Sequence, residues 1–257
     1  MELFDTHAHL TDPALADTSG VVARAAAAGV QRILTVATSA ATSRQCVALA
    51  ERHAGVWAAV GIHPNEADEA APGDWEAIVE LAQHPRVVAL GETGLDLYWQ
   101  KVPLPLQIDY FERHLRLAQE RDLPVVIHLR QSAAEILDVL TRVRKDGPLR
   151  GVMHSFTGTA EEAAALLELG LHVSFAGMVT FKKSQSLREV AATIPADRLL
   201  IETDAPYLSP EPLRGRHPNE PARLVHTAAC LADVRGIRLE ELAAQTTASA
   251  QRLFGVP

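Results

Sequence analysis

Eight short runs of apolar and β-branched residues recur along the chain, each followed by a longer amphipathic segment. No other feature constrains the fold as strongly. The strand-like runs are Leu3–Asp5, Gln31–Ala37, Val56–Gly61, Val87–Gly91, Pro124–Ile127, Leu149–Met153, His172–Phe175 and Arg198–Glu202. The expected helices lie near Ser19–Ala28, Ala41–His53, Trp75–His84, Leu106–Arg121, Ala133–Lys145, Ala160–Leu169 and Ser184–Thr193, with two more at Glu220–Val234 and Leu239–Phe254. Several strand runs are almost wholly apolar, as parallel strands covered on both faces must be. Gly29, Gly55, Gly147 and Gly170 sit where helices should stop. No Pro/Gly/Ser linker or low-complexity tract divides the 257 residues. The pattern predicts an α/β protein, a (β/α)8 TIM barrel forming a single domain over residues 1–257. An open doubly wound sheet is the alternative, but its first turn lacks the glycine pattern of a dinucleotide site.

Composition narrows the setting. Hydrophobic residues are 47% and charged residues 22%, ordinary values for a globular protein. No apolar run nears the ~20 residues of a membrane helix, and the N-terminus lacks a basic-then-apolar signal layout. The only cysteines, Cys46 and Cys230, have no metal or disulfide spacing, so a reducing, cytoplasmic location is expected. A formal charge of −8 argues against a surface that coats nucleic acid broadly. It remains compatible with phosphates engaged by metal ions in a cleft. No coiled-coil heptad appears, and a monomer is the expectation.

In a barrel, residues at the C-terminal ends of the strands converge on one face. Those positions hold His7 and His9 after the first run, His63 after the third and Glu92 after the fourth. His128, His154 and Asp204 follow the fifth, sixth and eighth. His7 and His9 flank one residue, so on a strand they share a face about 6–7 Å apart. A lone histidine at a strand end is more often a hydrogen-bonded core imidazole than a ligand. Seven unrelated buried polar roles on one barrel face would each need its own partner, however, whereas shared coordination accounts for all of them.

Six strong donors exceed what one catalytic ion takes. Two divalent ions sharing a carboxylate use them all: His7, His9 and Asp204 on one, His128 and His154 on the other, with Glu92 bridging. Lysine is absent from the ends of runs one to six, so a carbamylated-lysine bridge has no candidate. Imidazoles favour Zn or Mn, while carboxylates with phosphate accept Mg. Such ions lower the pKa of water toward ~7. Asp204 is the expected proton acceptor, with Glu92 the other catalytic carboxylate. Glu202, one layer deeper, either holds a histidine tautomer or is a buried hydrogen-bonded acid. His63 is surplus to the six and is expected to touch substrate or a metal.

The motifs Phe4-Asp5-Thr6-His7-Ala8-His9-Leu10, Gly61-Ile62-His63-Pro64 and Gly91-Glu92-Thr93-Gly94-Leu95-Asp96 resemble the TatD family of metal-dependent hydrolases, within the amidohydrolase-like barrels. So do Val126-Ile127-His128, His154-Ser155-Phe156-Thr157-Gly158, Ile201-Glu202-Thr203-Asp204-Ala205-Pro206-Tyr207-Leu208, and Arg214-Gly215-Arg216 before Asn219-Glu220-Pro221. The resemblance spans nearly the whole chain. It implies a (β/α)8 barrel, divalent ions and a hydrolase, with deoxyribonucleases of 3′→5′ exonuclease type among its members. The family's metal positions fall on His7, His9, Glu92, His128, His154 and Asp204. Leu129 stands where a small polar residue is frequent, and His217-Pro218 is a local variation.

For a DNA substrate, single-stranded or a 3′ end, Arg130, Lys182, Lys183, Arg214 and Arg216 are expected near the mouth as phosphate contacts. Tyr98 and Trp99 are candidate base platforms. Hydrolysis of a carboxylic ester or amide, as by an aminoacyl-tRNA deacylase or lactonase, needs the same donors. A non-catalytic metal-dependent binding protein is a third reading, disfavoured by the presence of Asp204 beside a full ligand set.

Overall fold

The computed structural model describes residues 1–257. Its strands are β1 (Leu3–Ala8), β2 (Val30–Val36), β3 (Val56–Val60), β4 (Val87–Asp96), β5 (Val125–Arg130), β6 (Gly151–Met153), β7 (His172–Phe175) and β8 (Leu199–Ile201). They pair in chain order, every pair parallel. The sheet closes through a parallel bridge between Ala8 and Ala205, just past the end of β8. There the His9 amide donates to the Ala205 carbonyl at 2.7 Å and the Asp204 amide to the His7 carbonyl at 2.9 Å. The nearly closed barrel expected from the alternation is what forms. Its closure itself sets Asp204 beside the histidine pair.

Between and after the strands run α1 (Thr18–Ala27), α2 (Ala40–Arg52), α3 (Asp74–Leu81), α4 (Leu104–Arg121), α5 (Ala133–Val143), α6 (Ala160–Glu168), α7 (Gln185–Thr193), α8 (Leu224–Arg235) and α9 (Leu239–Phe254). Local chemistry explains several ends. Ser39 and Thr159 open α2 and α6 with reciprocal side-chain caps. In α5, Ile136, Val139, Leu140 and Val143 form one buried stripe at helical spacing. Gly29 and Gly170 follow α1 and α6 with positive φ, whereas α2 ends on His53 and Gly147 is extended. No helix is long and apolar enough to cross a membrane.

The core has two layers. Alternate strand residues such as Phe4, Leu34, Trp57, Val126, Val152 and Leu200 fill the barrel. Leu253 and Phe254 of α9 join them and close the N-terminal end. Phe4 meets Trp57 and Phe254 at ring distances of 6.0 and 5.9 Å. The opposite faces, including Leu3, Ile33, Val56 and Ile127, pack under the helices. The apolar plug leaves the C-terminal ends of the strands to polar side chains.

Three strands depart from the expected bounds in a way that matters for the site, the first being β1, which runs past Asp5 to Ala8 and so carries His7. β4 does not stop at Gly91 but continues to Asp96, and β5 runs past Ile127 to Arg130. The expected run ends at Gly91, yet Gly91 and Gly94 are the means by which β4 hugs β5. Their φ values are +132° and +139°. A Cβ would meet the Val126 carbonyl at 2.6 Å from Gly91 and the His128 carbonyl at 2.1 Å from Gly94. Glu92 and His128 therefore lie within strands, and β4 slips register against β5 between Leu90 and Thr93. A similar slip in β1 lies between Asp5 and Ala8. Such irregularities re-aim side chains, and both sit where donors are carried.

His114, buried in α4, tests the packing beneath the site. Its Nε2 accepts from the Ile62 amide at 3.1 Å and its Nδ1 donates to the Tyr110 carbonyl at 2.6 Å. Burial pushes its pKa down to about 4. A histidine that stays neutral when folded but titrates near 6.5 when unfolded gives stability that is full above about 6.5 and lost as pH falls toward 4. We expect the urea midpoint to decline over that window and to decline less steeply in His114→Gln. Parallel pH profiles for the two proteins would contradict this account.

Candidate metal centre

Four donor atoms meet where the barrel closes. His7 Nε2 and His9 Nε2 lie 3.2 Å apart. Glu92 Oε2 is 3.3 Å from the first and 3.6 Å from the second. Asp204 Oδ1 is 3.7 and 3.6 Å from the same two nitrogens. A tetrahedron with ligand distances of ~2.1 Å has edges of ~3.4 Å, so these spacings suit one cation. The other oxygen of Glu92 serves a second group: Oε1 lies 2.8 Å from His128 Nδ1, 2.8 Å from His154 Nε2 and 3.5 Å from His63 Nε2. His128 Nδ1 and His154 Nε2 are 3.3 Å apart. The structure thus brings together all six residues nominated as ligands, in two groups that share Glu92.

The outer ring nitrogens separate ligands from other roles. His9 Nδ1 donates to the Val36 carbonyl at 3.0 Å, and His128 Nε2 to Asp96 Oδ2 at 3.2 Å. His154 Nδ1 donates to Glu202 Oε1 at 3.2 Å. Each bond occupies the outer nitrogen, so that the inward one can offer its lone pair to a cation once its proton is displaced. His63 is arranged the other way. Its Nδ1 accepts from the Asn65 amide at 3.1 Å, so the neutral ring carries its proton on the Nε2 that faces Glu92. In this arrangement His63 is a hydrogen-bond donor toward Glu92, although it also falls in one of the groups whose atoms could hold an ion.

His7 and His154 stack at 4.1 Å and 15°, and His7, His154 and Glu202 each offer an atom within 4.8 Å of the others. His7 Nδ1 and Glu202 Oε2 are buried with no other partner. Glu202 thus holds the outer nitrogen of His154 and lies close to His7, with one oxygen left without a partner.

Electrostatics agree with the donor chemistry. Burial would raise the Glu92 carboxyl, but the surrounding imidazoles of His154, His63 and His7 and the bond from His128 hold it well below the usual range, while burial pushes His7 and His63 themselves down. Asp204 and Asp96 are also depressed against burial, by the hydrogen bonds from His9 and His128 respectively. His154 is held well above an ordinary imidazole against burial, by Glu92 and Glu202. Ionised carboxylates and proton-avid imidazoles packed this closely are what a cation exchanges with when it displaces protons. The residues present fit divalent ions.

Sequence reasoning missed three supports. Asp96, the last residue of β4, accepts from His128 Nε2 and from Asn65 Nδ2 at 2.9 Å, and its Oδ1 takes the Tyr98 and Trp99 amides at 2.9 and 3.1 Å. Asp5 accepts from the Thr203 amide and hydroxyl at 2.9 and 2.6 Å and from the His7 amide at 3.3 Å, bracing the closure. Burial pushes Asp5 up to about 8. Asn219 ties the loop after β8 down through the Thr203 and Tyr207 carbonyls. An acidic residue ending the Gly91–Asp96 motif was the one signal available for Asp96.

Above the donors opens a cavity of about 830 Å³, whose wall includes His63, Trp99, Arg130 and Tyr207. Tyr98 packs edge-on against Trp99 at 5.0 Å. Of the five cations expected at the mouth, only Arg130 lines it. Lys182 lines a separate hollow with Arg188 and Glu211, and Arg214 stacks on Phe181 at 4.1 Å. Lys183 and Arg216 also lie outside the cavity wall. Loops lack the periodicity that tells which way a side chain turns, and that is why these positions were misplaced.

A parallel barrel with this donor cluster at the C-terminal ends of its strands is the architecture of a metal-dependent hydrolase. Residues 4–255 match the family described as TatD related DNase, and the chain belongs to that family. It is 40% identical to the Bacillus subtilis metal-dependent hydrolase YabD over 257 residues, covering 99% of each chain. It is 39% identical over 259 residues to a Klebsiella pneumoniae protein named 3'-5' ssDNA/RNA exonuclease TatD, covering 99% of this chain and 98% of that one. The crystal structure of the Escherichia coli TatD homologue YJJV superposes with a TM-score of 0.93 at 31% identity, covering 99% of this chain and 98% of that one.

Loss of the carboxylate behind the histidines should be felt at the metals. Calorimetric titration of metal-stripped Glu202→Gln with Mn²⁺ should show affinity lowered about 10- to 100-fold, with the far-UV spectrum unchanged. Wild-type affinity in this variant would show that Glu202 is only a buried acid.

Proposed function

We propose that this chain is a two-metal phosphodiesterase that removes nucleotides from the 3′ end of single-stranded DNA. The observation that carries the reading is the division of one carboxylate, Glu92, between two donor groups on opposite sides of it. The names of the Klebsiella pneumoniae relative and of a Citrobacter rodentium relative, both called 3'-5' ssDNA/RNA exonuclease TatD, support the substrate class. His7, His9, Glu92 and Asp204 would hold one divalent ion, and Glu92, His128 and His154 the other, with Mg, Mn or Zn as the metal. Bound there, the ions supply the positive charge that acidifies the attacking water and offsets charge on the phosphoryl oxygens.

The chain's own groups do the rest. Asp204 is ionised and at the cavity floor, so its carboxylate takes the proton of the attacking water. His63 donates a hydrogen bond from its Nε2–H to a phosphoryl oxygen, its tautomer held by the Asn65 amide, and the leaving oxygen takes its proton from solvent. Arg130 presents a guanidinium to a phosphate, and Trp99, backed by Tyr98, presents a ring to a base. Free thiols at Cys46 and Cys230 support a reducing, cytoplasmic setting.

The test is a metal add-back assay on stripped protein, offering 3′-labelled single-stranded DNA, RNA, an aminoacyl-tRNA and a lactone separately. The proposal expects mononucleotide release from DNA once a divalent ion is restored. Glu92→Gln and Asp204→Asn should fall by at least about 10³-fold. His63→Ala should fall about 10²- to 10³-fold with its metal content unchanged. Turnover confined to the tRNA ester or the lactone would overturn the substrate, and DNA hydrolysis persisting in Glu92→Gln would overturn the mechanism.

A further inference from the structure

One buried carboxylate outside the donor set touches both the donors and the rim. β4 reaches Asp96 because Gly94 lets it lie against β5, with Gly94 opposite His128 and Asp96 opposite Arg130. The Asp96 side chain is buried there, and four N–H groups converge on it. Oδ2 accepts from His128 Nε2 at 3.2 Å and from Asn65 Nδ2 at 2.9 Å. Oδ1 accepts from the Tyr98 and Trp99 amides at 2.9 and 3.1 Å. The donors come from β5, from the loop after β3 and from the loop after β4. The last loop is also clamped from α4. Gln107 Oε1 takes the Asp96 amide at 2.8 Å, and Gln107 Nε2 donates to the Asp96 and Val102 carbonyls at 3.2 and 2.8 Å.

The imidazole between the two ends of this network has a choice to make. His128 has a carboxylate at each nitrogen, Glu92 Oε1 2.8 Å from Nδ1 and Asp96 Oδ2 3.2 Å from Nε2. A neutral ring carries one proton and gives it to one of them. A cation held on Nδ1 leaves that proton only Nε2, and with it only Asp96. The bond then fixes the Asp96 carboxylate in the orientation that presents Oδ1 to the Tyr98 and Trp99 amides. Hydrogen bonds chained through one group reinforce each other in this way.

We infer that Asp96 is a positioning residue that couples cation binding at the His128–His154 group to the order of the Tyr98–Trp99 loop, so that loading this group tightens the rim. The inference rests on the cation reading of the donor groups and is independent of the bond that is cleaved. An asparagine at this position separates the two tasks, because it has one carbonyl oxygen where aspartate has two acceptors. With its oxygen toward His128 and Asn65, its amide N–H groups face the loop amides and the loop is released. Turned over, it keeps the loop but donates to His128 Nε2, which drives the ring proton onto Nδ1. Either way, the two ends no longer communicate.

Hydrogen exchange and calorimetry test the coupling from both ends. Metal-stripped protein is titrated with Mn²⁺, and exchange of the Tyr98 and Trp99 amides is followed with and without saturating Mn²⁺. In the wild type, loading should slow exchange at these amides about 5- to 150-fold. In Asp96→Asn, with an unchanged far-UV spectrum, that slowing should vanish whichever way the amide turns. Glu202→Gln, which acts on His154, should keep the slowing once Mn²⁺ saturates it. Coupling is reciprocal, so Gln107→Met, which touches no donor but loosens the loop, should weaken Mn²⁺ binding at least about fivefold. Exchange that ignores Mn²⁺ in the wild type, slowing that survives in Asp96→Asn, or wild-type Mn²⁺ affinity in Gln107→Met overturns the inference while leaving the metal centre standing. Failure of the wild type to bind Mn²⁺ removes the cation reading itself, and the inference with it.

Discussion

The structure turns on one side chain held between two sets of imidazoles. Glu92 is buried, carries negative charge, and divides its oxygens between His7 and His9 on one side and His128 and His154 on the other. A carboxylate in such a place would be costly to bury without partners. The partners come from the first, fifth and sixth strands, so the charge can be satisfied only when the barrel has closed. Fold and site are one constraint in this sense. The apolar plug of Phe4, Trp57 and Phe254 holds the strands at one end, and the polar cluster requires their register at the other.

The same economy extends outward from the donors. Asp96 grips the back of His128 with one oxygen and the backbone of the Tyr98–Trp99 loop with the other, so the inner site and the outer rim share a support. Asp5 does likewise at the closure, linking the His7 amide to Thr203 beside Asp204. A supporting residue that touches two functional groups fixes their separation as well as their orientations.

Much of this was legible in the residues because parallel strands impose a rule. Side chains at their C-terminal ends converge, so the spacing of apolar runs was enough to gather His7, His9, Glu92, His128, His154 and Asp204 in one place. The rule failed where periodicity is missing or misleading. The apolar run stops at Gly91, and only the close approach of β4 to β5 shows that Gly91 and Gly94 belong to a strand ending at Asp96. Lys182 and Arg214 lie in loops whose course depends on long-range packing, and neither lines the mouth. His63 is legible only in part. Its place follows from the strand, but its role depends on which ring nitrogen the Asn65 amide engages.

The central claim is that Glu92 bridges two cations. Anomalous diffraction from crystals soaked in Mn²⁺ tests it directly. The account predicts two peaks per chain on either side of the Glu92 carboxylate, about 3.5–4 Å apart. One would lie among His7, His9 and Asp204 and the other between His128 and His154. A single peak, or two that leave Glu92 without a metal contact, would contradict it.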